Sequence, residues 1–181
     1  EQEARRQWAL SISADESRAL FERLGNARMG ALGHLTHDLA SSDAATLFMG
    51  VTAKAVASTQ RASVAMANLF DAVRDLARAQ KDGRGAYGKI NQWIGPNLRT
   101  SEAWQMFLPV ANTALDALDE AARNLTSVVE AVSGEKPELV VDVSDAARRV
   151  KELHEQLKIC IEGVDERYVY SYQVNKSLKA G

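Results

Sequence analysis

The chain has 181 residues, 46% of them hydrophobic and 25% charged, which is enough to bury one core as a single domain. Its net charge of -2 gives no global basic field, and its single cysteine, Cys160, excludes an internal disulfide and any multi-cysteine zinc or iron–sulfur site. Only 3 prolines and 11 glycines interrupt it, and no apolar run approaches the roughly 18 residues of a membrane span, so composition predicts long helices and no membrane.

The opening stretch, Glu1 to Gln7, is charged and lacks the apolar region of a signal peptide, and its first residue is not methionine. The expectation is a piece cut from a longer protein. Residues Trp8 to Ser13 alternate apolar and polar after Ala9, which predicts a short strand. Ser13 then fits an N-cap with Glu16 three residues on, as in a capping box. The helix that follows carries Leu20, Phe21 and Leu24 on one face and should end at Gly25. A second short helix carries Met29, Leu32, Leu35 and Leu39.

A long helix is predicted from about Asp43 to Lys81. Phe48, Val51, Ala55, Ser58, Ala62, Met66, Leu69, Val73 and Leu76 recur at spacings of three and four, a heptad-like stripe. At about 1.5 Å per residue such a helix runs to nearly 60 Å. Its middle is rich in Ala, Ser and Thr, so neighbouring helices could approach closely. Gly83, Gly85, Gly88, Gly95 and Pro96 break the pattern between Asp82 and Arg99.

The third long helix should start near Ser101. Its buried face is expected at Trp104, Phe107, Ala111, Ala114 or Leu115, Leu118, Ala122, Leu125, Val129 and Val132, with Pro109 kinking it or limiting its first turn and Gly134 ending it. Pro137 fits the first position of a last helix, whose stripe is Val140, Val143, Ala147, Val150, Leu153 or His154, Leu157 and Cys160 or Ile161, stopped by Gly163. Tyr168 to Val174 is β-branched and aromatic and reads as a strand. The expected fold is therefore mainly all-α: an antiparallel helical bundle with long helices and a small β element near the two termini, in which Leu10–Ser13 pairs with Tyr168–Val174.

Catalytic motifs are sparse. There is no Gly-x-x-x-x-Gly-Lys-Ser/Thr phosphate loop, and Gly83, Gly85 and Gly88 lead into no Rossmann-like unit. His37-Asp38-Leu39 is similar to the phospho-accepting box of sensor histidine kinases, and a histidine can carry a phosphoryl group covalently. The arginine and proline that usually follow are replaced by Ala40, Ser41 and Ser42. The alternative reading is thus a free-standing helical signalling or protein-binding module with phosphotransfer at His37. His34 and His37 have no obvious third metal ligand, and Cys160 falls on an apolar stripe.

Charge is uneven. Between Lys81 and Arg99 four cations (Lys81, Arg84, Lys89, Arg99) face Asp82 alone, a balance of +3, with Tyr87 and Trp93 among them. Between Asp116 and Glu138 the balance is -4. Cations interleaved with aromatics suit a grip on a nucleic-acid backbone with bases stacked on rings. The candidate contacts are Arg84, Tyr87, Lys89, Trp93 and Arg99; the bland reading is a solvated turn with two buried aromatics.

The two ends carry a family resemblance. Glu1-Gln2-Glu3-Ala4-Arg5-Arg6-Gln7-Trp8, followed by Leu10-Ser11-Ile12-Ser13, resembles the segment just after the DEAH box of DinG-type DNA helicases, relatives of XPD. Asp165-Glu166-Arg167-Tyr168-Val169-Tyr170-Ser171-Tyr172, followed by Ser177-Leu178-Lys179-Ala180, resembles that family's tyrosine-rich strand and return to the first motor domain. Between such ends the family carries a helical insertion, the arch. The middle of the chain matches by helix content alone, and the ATP-binding loop, the DEAH box and the later motor motifs are absent, so no catalytic residue can be placed. The resemblance implies that residues 1–181 are one helical insertion in a motor domain. The parent would be a cytoplasmic enzyme using ATP and Mg, while this segment, with no cofactor or metal of its own, helps enclose or steer single-stranded DNA.

Overall fold

The computed structural model describes residues 11–26, 30–40, 45–79, 89–134, 137–164 and 169–175. Among the described residues, six helices and a two-stranded sheet follow in the order α1 (Ala14–Gly25), α2 (Ala31–Ala40), α3 (Ala45–Ala79), β1 (Lys89–Trp93), α4 (Pro96–Arg99, one turn), α5 (Glu102–Ser133), α6 (Val141–Glu162) and β2 (Ser171–Asn175). The mainly all-α class expected from composition is what the structure has.

The helix starts follow from side-chain caps. Ser13 Oγ accepts the Glu16 N–H at 3.1 Å, and Ser101 Oγ accepts the Trp104 N–H at 3.2 Å, each satisfying a donor that the first turn leaves without a partner. Pro109 lies inside α5 at an exposed position, where it has no N–H to offer the Gln105 carbonyl. Pro137 does not open the last helix directly: a 3₁₀ turn, Pro137–Val140, precedes α6. Gly163 ends α6 at φ 58°, the left-handed conformation that costs glycine least.

The core is a heptad seam between α3 and α5, with α6 also packed on α5 and α1 and α2 laid on α3. On α5 the buried positions are Trp104, Phe107, Ala111, Ala114, Leu118, Ala121, Leu125, Val128 and Val132, an unbroken alternation of three and four. Ala121 and Val128 take the places expected for Ala122 and Val129, because the 3.5-residue repeat set by Trp104 and Phe107 continues without drift. On α3 the buried set is Phe48, Thr52, Ala55, Ser58, Thr59, Ala62, Ala65, Met66, Leu69, Leu76 and Ala77. Val51 and Val73, expected on this stripe, are only half-buried. Thr52 and Ser58 return their hydroxyls to the Phe48 and Ala55 carbonyls, at 2.9 and 3.1 Å, which makes their burial tolerable.

The strand pairing differs from expectation. β2 pairs antiparallel with β1, Lys89 opposite Asn175 and Trp93 opposite Ser171, and not with the N-terminal segment. Residues 11–13 form no strand: Ile12 packs on the core and Ser13 is used as the α1 cap. Trp8, Ala9 and Leu10 lie outside the described residues, as does Met29. Alternation told which residues share a face of a strand, but the partner came from the glycine-rich break, where Lys89–Trp93 supplies a second alternating run.

Candidate nucleic-acid interface

The β1–β2 ribbon has two chemically different faces. Asn91, Trp93, Ser171 and Gln173 are exposed, whereas Ile90, Gln92, Ile94, Tyr170, Tyr172 and Val174 are half-buried. The second set alternates with the first, as a strand of period two requires. Ile94 and Tyr172 pack on the helical core, with β2 lying against α3. The Ile94 N–H donates to the Tyr170 carbonyl at 2.8 Å, which makes Trp93/Ser171 and Asn91/Gln173 non-hydrogen-bonded pairs, the kind whose side chains stand closest.

Trp93 is 60% exposed, an unusual position for the largest apolar side chain. Its indole lies over Gly95, where a Cβ would come within 2.6 Å of the ring. One face of the indole is therefore seated on backbone. The sequence expectation of Trp93 at the surface of a basic stretch thus has a concrete geometry, and the bland alternative of a buried ring does not hold at this position.

Arg99 is placed differently from a phosphate contact. Its guanidinium donates to the Ile161 and Cys160 carbonyls at 2.5 and 3.1 Å, two acceptors at the C-terminus of α6. It also stacks over Trp104 at 5.0 Å and Tyr170 at 5.6 Å. A cation at a helix C-terminus both satisfies carbonyls and meets the negative end of the helix dipole. The same guanidinium covers Gly163, where any Cβ would overlap it. Arg99 therefore ties α4, α5, α6 and the approach to β2 together beneath the ribbon.

Lys89 begins β1 opposite Asn175; Arg84 and Tyr87 lie outside the described residues. The topology adds something that the sequence order hides. In an antiparallel ribbon the chain enters β1 and leaves β2 at the same end. That shared end is the one where Lys89 stands opposite Asn175. Sequence reading missed Asn91, Ser171 and Gln173, although the alternation in Lys89-Ile90-Asn91-Gln92-Trp93 carries the signal.

The remaining chemistry-bearing groups are dispersed. His34 and His37 are exposed on α2. Burial raises the Cys160 thiol above its ordinary value, with the Arg99 charge pulling the other way, so the thiolate is scarce. Burial likewise raises the Tyr172 phenol, whose hydroxyl has no hydrogen-bond partner among the described residues. Clefts of about 300 Å³ between α1 and α6 and about 360 Å³ between α1 and α3 flank α1. Among the described residues no three His, Cys, Asp or Glu side chains gather as a metal site, and no helix is long and apolar enough to cross a membrane.

Taken together, these features define a class: a mainly all-α, coiled-coil-like bundle carrying an aromatic, amide-bearing ribbon. No family model, curated protein or solved structure matches the chain.

Proposed function

We propose that this chain is an accessory helical insertion of an ATP-dependent DNA helicase resembling the DinG type, and that it encloses or steers single-stranded DNA. On this reading catalysis, ATP and Mg belong to the motor domain in the same chain, and the site of action is cytoplasmic. The observation that carries the proposal is the outward face of the ribbon. It holds an exposed indole among amides, in the part of the chain where cations outnumber acids four to one. Stacking of bases on aromatic rings beside a basic track is how single strands are held without sequence readout. The end patterns around Trp8 and Tyr168–Tyr172 supply the link to the helicase family.

Arg84 and Lys89 are the cations this reading assigns to phosphates, since Arg99 is bound to carbonyls. Two contacts on a single strand give a log–log salt slope of about -1.4, at ~0.7 per contact. In the parent helicase, Arg84→Glu with Lys89→Glu should weaken strand binding and unwinding and leave ATP binding intact. Unchanged strand affinity with the fold intact would overturn the assignment. A DEAH-type box encoded directly upstream of Glu1 is the expected sequence context, and its absence would remove the helicase link.

A further inference from the structure

We propose that the outward face of the β1–β2 ribbon binds one unpaired base of single-stranded DNA, stacked on Trp93 and read along its edge by the Asn91 and Gln173 amides, with preference for adenine. The inference rests on the reading above and gives it a site. Three observations converge.

The first is the state of Trp93. A ring that is 60% exposed rests with one face on the Gly95 backbone, a contact that restricts the orientations open to it. Binding then loses little side-chain freedom, a cost that a mobile aromatic would bear on each encounter. The second is the arrangement of the pairs. Asn91 stands two residues from Trp93 on the same face, with Gln173 directly opposite Asn91 and Ser171 opposite Trp93. Non-hydrogen-bonded neighbours of this kind lie about 4.5 Å apart at Cα, and the diagonal from Trp93 to Gln173 is about 7–8 Å, within reach of long side chains. Both amides stand on the side of the indole away from Gly95, so a base on the ring face turned from Gly95 would lie toward them.

The third is the chemistry of the face. Asn91, Trp93, Ser171 and Gln173 include no carboxylate to repel a phosphate backbone and no cation to hold one. An amide offers a donor and an acceptor side by side, the complement of the adenine N6 amino group and N7. These four positions are thus equipped for bases, while Lys89, which begins the same strand, is the cation that the reading above assigns to phosphate. Changes at Asn91, Trp93 and Gln173 are therefore expected to alter base preference but not salt dependence.

The test uses the full 181-residue chain and labelled single strands in an anisotropy titration: oligo(dA), oligo(dT), and a strand of the same length with abasic sites. Oligo(dA) is expected to bind several-fold tighter than oligo(dT), and the abasic strand about tenfold more weakly than oligo(dA), the order of one stacked base. Trp93→Ala should lower oligo(dA) affinity about tenfold and leave the abasic strand unchanged. Asn91→Ala with Gln173→Ala should erase the preference for oligo(dA) and keep the salt slope. Both variants change exposed positions, so circular dichroism and the melting temperature should match the parent chain. Equal binding of oligo(dA) and the abasic strand, or Trp93→Ala without effect, overturns the base platform while leaving the DNA reading in place. Failure to bind any of the three strands overturns both.

Discussion

The seam between α3 and α5 and the junction beneath the ribbon are held by different physics. The seam is distributed: nine α5 positions, none more than 8% exposed, meet an α3 stripe of small residues interspersed with Phe48, Met66, Leu69 and Leu76. No member of it is indispensable, and its stability scales with the apolar volume removed from water. The junction is concentrated: one guanidinium serves two carbonyls, two rings and a left-handed glycine. Damage to the seam should therefore be graded and global, whereas damage to Arg99 should be local and complete. The ribbon mounted on the second kind of joint can be lost without unfolding the first.

The largest expected effect tests the distributed half. Leu118 is fully buried at the middle of α5. Leu118→Ala removes its transfer energy and leaves a cavity, and should cost about 3 kcal/mol of unfolding free energy in a urea titration, within the 2–5 kcal/mol range for such changes. Far-UV circular dichroism should keep its helical shape, because the neighbouring seam positions remain. A loss below about 1 kcal/mol would mean that the seam collapses around the gap and is not packed as described.

The next effect tests the concentrated half. Arg99→Met keeps the aliphatic stem but leaves the Cys160 and Ile161 carbonyls without their donor and removes both ring contacts. Two charge-assisted hydrogen bonds and two cation–π contacts at a half-buried site, discounted for solvent, give a cost of about 2 kcal/mol. The sharper readout is where the loss appears. Amide hydrogen exchange should accelerate in Lys89–Trp93 and Ser171–Asn175 and hold steady along α3 and α5. Uniform acceleration across the helices would show that Arg99 belongs to the core and is no separate joint.

The two halves were also unequally legible in the sequence. Phe48, Ala55, Ala62, Met66, Leu69 and Leu76 announce the seam because a helix keeps a period of 3.6 and a buried stripe must follow it. Ser13, Ser101 and Gly163 announce helix ends because capping chemistry is local. The ribbon required a non-local fact. Alternation in Tyr170–Val174 marks a strand, but nothing within it names Lys89–Trp93 as the partner far back in the chain, and Leu10–Ser13 alternates as well. Arg99 was hidden for the same reason. A cation in a basic stretch looks like a ligand contact until the α6 C-terminus is placed beside it. The candidate site was half legible: Trp93 by its chemistry, Asn91 and Gln173 only once the strands were paired.

The smallest effect asks whether any long-range contact in the seam is individually important. Arg61 of α3 reaches Glu120 of α5 at 2.6 Å, a bond between the two long helices. Its geometry is good, yet the two side chains are 55% and 44% exposed, so water screens the attraction and ordering two long side chains offsets part of it. A double-mutant cycle with Arg61→Ala, Glu120→Ala and the pair should give a coupling of about 0.5 kcal/mol. The coupling should shrink further at about 1 M salt, where the Debye length falls to about 3 Å. The alignment of α3 and α5 should survive in all three variants, because Ala62, Met66, Leu118 and Ala121 fix the register by shape. A coupling above about 2 kcal/mol would make this pair a second keystone, and the contrast between a distributed seam and a concentrated junction would fail there.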